Sequence, residues 1–385
     1  MRGWVSANKQ DTHEVYVRGL FNYDDWNSNT NPLGRGDESD EALERAWYGL
    51  NVNRFLGWDV DGPVALNFKA GRAFQTIGSS FTMAIPLDMI YLRADVYDWQ
   101  VTSFVGKTIL DSTNIDRSAL LTRQDRVLWG TEFAYEKFSD HRPYAYYLSN
   151  SDHTDPTVVS AQGYEYDSRY VGIGSRGILG SDDLRYGVEL VREWGRSYPS
   201  GTAAERENIR AYAFDLLLEY YFHHATRPKL MFEYMFGSGD PDRVPGTSSV
   251  ATSGGNTAGS NDRAFNAFGY RDTGIALSPA ISNLHIYSGG ASLFPFIDSL
   301  QFKELEAGGK VFFYSKHRDG GAISDTSATN GAGWVGCEWD LFCNWRITSD
   351  VAGTLRYGMF HPGSAYDGGD KSPRDFLYSG LVVSF

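Results

Sequence analysis

Charged residues recur at alternate positions along this chain, between apolar neighbours. Arg356 sits between Leu355 and Tyr357, and Asp215 between Phe214 and Leu216. The same beat puts Arg18, Arg45, Lys69, Arg93, Arg126, Arg185, Arg346 and Arg356 on one face. Asp95, Glu132, Glu136, Asp215, Glu219, Glu233, Glu338 and Asp340 share it. A period of two is the side-chain repeat of an extended strand, so each strand has an apolar face and a wet one. Arginines on a wet face can pair bidentately with the carboxylates of a passing solute, and rings of charge select permeating ions. The same charges also suit a ladder of ion pairs that braces a wall. Alternation alone leaves both readings open for any one arginine.

Other chemistry finds little support. No Ser–His pair falls on a shared face and no nucleophile elbow is present, so no enzyme is expected. His285 and His361 fall near strand ends without partners. His223 and His224 are adjacent and point opposite ways if extended. Nothing has metal-ligand spacing, and no cofactor is expected. The two cysteines, Cys337 and Cys343, lie roughly 20 Å apart along a strand, too far for a disulfide within it. They read as small apolar side chains.

The strands that carry these residues follow one another closely. Met1–Ser6 reads as the tail of a strand and Ala7–Asp11 as a turn. His13–Asp24 places Val15, Val17, Phe21 and Tyr23 on its apolar face. Leu43–Leu56 places Tyr48, Leu50 and Val52 outward, and Arg45, Asn51 and Asn53 inward. Val64–Phe74, a loop at Gln75–Leu87, Asp88–Val96, Trp99–Lys107 and Arg126–Phe138 come next. The beat continues through His141–Leu148, Tyr164–Ile178, Leu184–Trp194, Arg206–Phe222 and Lys229–Phe236. A long Gly/Ser/Asn/Asp-rich loop, Gly237–Pro279, is expected to fold over or into a mouth as a mobile lid. Ile281–Phe294, Leu300–His317 and Trp334–Ile347 follow. The chain ends on Val351–Phe360, an exposed loop and a closing strand, Phe376–Phe385, that stops at an aromatic residue.

Connection lengths alternate. Tyr97–Asp98, Phe296–Ser299 and Thr348–Asp350 are tight turns, whereas the connections between them hold about ten to forty residues, the pattern of short periplasmic turns and long external loops. Composition agrees. The 385 residues include 24 Tyr, 23 Phe and 10 Trp, enough for aromatic girdles at two membrane interfaces. No apolar run of about 18 residues suggests a membrane helix. The net charge of −13 argues against nucleic acid. The expected fold is all-β, a single transmembrane antiparallel β-barrel domain over residues 1–385, with about sixteen full strands. An even strand number then implies eighteen strands in the complete protein, and a natural start before Met1. No charged-then-apolar leader is visible at Met1–Val5.

Several stretches resemble the alginate-export family of outer-membrane porins. They are Leu355-Arg356-Tyr357-Gly358-Met359-Phe360-His361-Pro362-Gly363-Ser364-Ala365-Tyr366, Asn67-Phe68-Lys69-Ala70-Gly71-Arg72, Phe268-Gly269-Tyr270-Arg271-Asp272 running to Ile281-Ser282-Asn283-Leu284, and Gly336-Cys337-Glu338-Trp339-Asp340-Leu341. The resemblance runs from about residue 13 to the end, and its fold is an eighteen-stranded barrel. It implies an outer-membrane channel that guides an anionic polysaccharide, alginate, along arginines. By position those are Arg72, Arg271 and Arg356, with Arg263 a weaker match. Arg72 shares parity with Phe68, so an inward Arg72 requires a bulge or a position past the lipid band. The family's exporter carries a long periplasmic loop before its penultimate strand; here that connection is Thr348-Ser349-Asp350.

The pore-lining set expected from both arguments is Arg18, Lys69, Arg72, Arg93, Arg126, Arg185, Arg271, Glu338, Asp340 and Arg356. The expected partners are an anionic polysaccharide or other anionic solute, outer-membrane lipid or lipopolysaccharide, and periplasmic secretion components. A monomer in the bacterial outer membrane is expected. A general or small-anion porin is the alternative, and a structural or adhesive surface barrel a third class.

Overall fold

The computed structural model describes residues 2–24, 38–59, 62–109, 125–153, 166–197, 206–241, 260–368 and 371–383. The first nine strands are β1 (Arg2–Lys9), β2 (His13–Asp24), β3 (Glu38–Asn51), β4 (Val64–Ile77), β5 (Met83–Val96), β6 (Trp99–Thr108), β7 (Arg126–Tyr135), β8 (His141–Asp152) and β9 (Asp167–Leu179). The rest are β10 (Ser181–Ser197), β11 (Glu207–Tyr221), β12 (Lys229–Gly237), β13 (Leu284–Leu293), β14 (Leu305–Lys316), β15 (Trp334–Arg346), β16 (Val351–Pro362) and β17 (Arg374–Val383). Each pairs antiparallel with the next, from β1–β2 to β16–β17. Among the described residues this is one 17-stranded sheet, and it is not closed. The partial first strand and the sixteen full strands read from the sequence correspond to these seventeen.

The period-two pattern sorts the side chains. On β10, Leu190 and Arg192 are exposed while Glu189, Val191 and Glu193 are buried. Two facts identify the buried face as the inner one. The other face exposes large apolar side chains such as Ile90, Trp129, Ile173, Leu230 and Leu341. The buried face of β5, β10, β11 and β15 touches a single segment, residues 260–283. Strands so far apart in the meander reach one segment only if the wall curves around it.

The connections fall into two classes. On one end they are tight, as at Tyr97–Asp98 and at Gly180, whose left-handed backbone (φ 71°) suits glycine. That end also holds the connections 52–63 and 294–304, so the turn expected at Phe296–Ser299 is part of a longer connection, and the longest connections, such as 238–283, lie at the other end. Among the described residues no helix is long and apolar enough to cross a membrane.

Local corrections follow from packing. β1 runs on to Lys9, and the reversal falls at Gln10 and Asp11, both left-handed (φ 53° and 52°). The strand expected to end at Leu56 stops at Asn51, and α1 (Val52–Leu56) follows. Asn51 caps that helix by accepting from the Arg54 N–H, and Gly57 ends it at φ 69°. Asn53, expected to line the inner face, is instead buried and bonded to Asp59 O, Val64 O and the Leu66 N–H. The loop expected at Gln75–Leu87 is mostly strand. Ala73, Gln75, Ile77, Met83 and Leu87 are all buried on the inner face, which extends β4 and β5 well past the apolar band. Phe385 lies outside the described residues.

Candidate pore

Carboxylates on the inner wall anchor the inserted segment. Asn266 donates its backbone N–H to Glu193 (2.9 Å). Ala276 and Leu277 donate theirs to Glu338 (2.7 and 2.9 Å), and Ile275 donates to Asp340 (3.2 Å). Glu189 accepts from the Ser79 N–H (2.7 Å) and from the Tyr144 and Tyr146 hydroxyls (2.6 Å each). A two-sided ladder holds Phe268 to the start of β5, through Ala84 N to Phe268 O (2.9 Å) and Phe268 N to Thr82 O (2.8 Å). Phe81, Phe265 and Phe268 then pack with Ile77, Met83, Leu128 and Tyr170. Of the loop expected to be a mobile lid, residues 260–279 lie against the inner wall and are anchored to it, and residues 242–259 lie outside the described ones. Glu189, Glu193 and Glu338 each meet two or more donors, which offsets their burial, whereas among the described residues Asp340 accepts from the Ile275 N–H alone.

Arg271 belongs to this anchor. It donates to Asp215 (Nε 3.0 Å, Nη2 2.8 Å) and to Ser79 O (2.6 Å), and Glu233 lies 3.6 Å away. Burial opposes its charge, but the Asp215 and Glu233 carboxylates outweigh it and hold the guanidinium above its ordinary pKa. Arg126 is likewise spent. It is buried, paired with Asp152 (3.0 Å) and lies under the Phe268 ring. Glu338 and Asp340 face inward as expected, but they serve the segment's backbone.

Other expected residues face the lumen without the segment. Arg18 pairs with Glu44 (2.7 Å) and Arg93 with Asp95 (3.0 Å). Arg185 lies over the Tyr221 ring (4.9 Å). Arg356 is exposed and opens on a cavity of about 230 Å³ with Lys229, Lys310, Asp272, Glu306 and Asp340. Lys310 in that cavity is paired with Asp272 (2.6 Å).

Arg72 is not a pore residue. The β4–β5 register runs unbroken from Val64↔Val96 to Ile77↔Met83, so no bulge turns Arg72 round. It shares the outer face with the exposed Phe74 and Ile90, where it pairs with Asp88 (2.7 Å) and donates to Leu43 O (2.9 Å).

Sequence reasoning passed over an inward lane on β2–β5. Tyr16 stacks on Trp47 (5.6 Å, 17°), and Lys69 Nζ lies 4.2 Å from the Trp47 ring centre and 5.9 Å from that of Tyr91. Tyr16 and Trp47 are register partners, as are Lys69 and Tyr91. The signal was available, since Trp47 has the parity of Arg45 and Asn51. An aromatic on a polar face marks a lumenal side chain.

Wall, lumen and loop asymmetry together define an outer-membrane β-barrel channel. The alginate export family model matches residues 88–378, and the chain belongs to that family. No curated protein matches. Among solved structures, the chain is similar to the Pseudomonas aeruginosa outer membrane protein OpdK, with a TM-score of 0.56 and 10% identity, covering 99% of this chain and 92% of that one. It is also similar to OccK11 (OpdR) of the same organism, with a TM-score of 0.53 and 11% identity, covering 100% and 93%. OccK8 (OprE) gives 0.53 and 10%, covering 99% and 96%. At such identities the likeness is one of fold. The family and these porins place the chain in the bacterial outer membrane.

Proposed function

We propose that this channel conducts an anionic sugar chain, of the alginate type, through its lumen without catalysis. The observation that carries this reading is the lane Tyr16, Trp47, Lys69 and Tyr91. Pyranose rings present flat C–H faces that stack on aromatic rings, and a lysine between two such rings meets the carboxylate of a uronate. Arg356, exposed on the lumen with no carboxylate partner among the described residues, adds a second cationic station.

A small-anion channel is the second reading. It is favoured by the pairing of Arg18, Arg93, Arg126 and Arg271 with acids, which leaves few cations free, and by the inserted segment.

The test is single-channel conductance in planar bilayers, with reversal potential under a KCl gradient and titration with oligomannuronate. Anion selectivity with block by the oligosaccharide supports the polymer channel. Anion selectivity without block favours the small-anion channel. Conductance with neither rejects both.

A further inference from the structure

The outer wall carries a basic patch that the lumen does not use. Trp194 on β10 has Arg169 of β9 and Arg210 of β11 as its register partners on either side. Arg192 and Arg196 lie two residues before and after it on the same face. One indole is thus framed on four sides by guanidinium groups, all four exposed, in a groove of about 420 Å³.

Position gives the patch its meaning. Below Arg192, the next outward row is Ile173, Leu190 and Phe214, which is wholly apolar. Above it lie the long connections. The arginines therefore begin where the lipid band ends, at the loop end of the wall. Trp129, Tyr147 and Trp194 form an aromatic row there, with ring centres 5.0 and 6.1 Å apart. Such a row marks the level of the headgroups.

Charge balance asks for an anion. No ion pair or side-chain hydrogen bond neutralises the four guanidiniums among the described residues. Among the described residues Asp167 is the one acid lining the groove, and Arg206 already holds it (2.8 Å). Like charges set around one point of a sheet repel, so an external anion relieves the cluster as well as binding to it. Arginine forks fit phosphate oxygens bidentately. Apolar rows directly beneath suit acyl chains attached to the same headgroup.

We propose that Arg169, Arg192, Arg196 and Arg210 bind the phosphate of an outer-leaflet glycolipid of the lipopolysaccharide type, with its chains lying along Ile173, Leu190 and Phe214. The site is on the outer wall and independent of what the lumen conducts.

The test uses the full chain folded in detergent micelles, with fold checked by its heat-dependent gel mobility. Binding of bisphosphorylated lipid A, its fully dephosphorylated form and inorganic phosphate is measured by native mass spectrometry. The wild type is expected to retain the bisphosphorylated lipid and lose most binding of the dephosphorylated one. Arg192→Gln/Arg210→Gln is expected to weaken retention about tenfold. Equal binding of the two lipids, or undiminished binding by the variant, overturns the proposal. Saturation by inorganic phosphate at the lipid's own concentration overturns the lipid as its source. Should the double variant not fold, the comparison of lipids on the wild type decides alone.

Discussion

Arg271 and Asp215 join parts of the chain that are 56 residues apart, with Nη2 2.8 Å from the carboxylate. Through this contact the inserted segment is fastened to β11. The Ser79 carbonyl on the same guanidinium fastens it to the β4–β5 turn as well.

Arg271→Ala removes both fastenings and leaves Asp215 and Glu233 facing each other without a cation. Losing one partner of a buried pair costs about 3–5 kcal/mol. The segment is expected to leave its seat while the wall persists. Single-channel recordings should then show larger and noisier conductance than wild type, and unchanged conductance would mean that the segment does not narrow the path.

Trp47→Ala should reduce block by oligomannuronate by up to about tenfold while changing small-ion conductance little, since a lost stacking contact is worth about 0.5–1.5 kcal/mol. Lys69→Met should lower anion selectivity and weaken the block together. The reversal potential and the block titration separate the two effects, and equal block in wild type and Trp47→Ala would remove the lane from the sugar path.

Asp325 supplies a pH test away from the wall. Burial pushes its carboxyl up, but hydrogen bonds from Ser327 and the Arg374 guanidinium outweigh that and hold its pKa below the ordinary value. A depressed folded pKa contributes stability that is full above the unfolded value of about 3.9 and is lost as pH falls through the lower folded one. The contact between the 317–333 connection and the start of β17 should therefore persist from pH 7 to about 4 and fail below. Amide exchange near Asp325, followed from pH 7 to pH 3 and corrected for intrinsic rate, should show this step. Asp325→Asn should abolish it.

Gly172 and Gly174 lie where the rings of Tyr146 and Tyr144 cross β9, and a side chain at either position would enter the ring. Gly172→Leu is expected to cost about 1–3 kcal/mol by overpacking and to tilt Tyr146 away from Glu189. A lower midpoint in the heat-dependent gel shift would record it, and an unchanged midpoint would show that the ring can move aside.

Much of this protein was legible along the chain. Strand parity is a local property, because successive side chains of an extended backbone must point to opposite faces. Leu355, Arg356 and Tyr357 therefore assigned their faces without reference to any other strand, and the lengths of the connections identified the two ends of the wall. The length of the strands was less legible. Ile77 and Met83 are the last paired residues of β4 and β5, and the inserted Phe268 bridges Met83 from 185 residues further along the chain and packs in the same apolar cluster as Ile77. Arg72 was legible through its parity with Phe68, and the unbroken register upheld parity over the placement suggested by resemblance. What the sequence could not contain locally is the use made of each charge. Arg356 and Arg126 share the inward parity and Arg271 was assigned to the pore by resemblance, yet one opens on the lumen, one is buried and paired, and one fastens a segment. That difference depends on where residues 260–283 run, and their path is set by contacts with β5, β10, β11 and β15 together. Only the curved wall brings those four strands to one place.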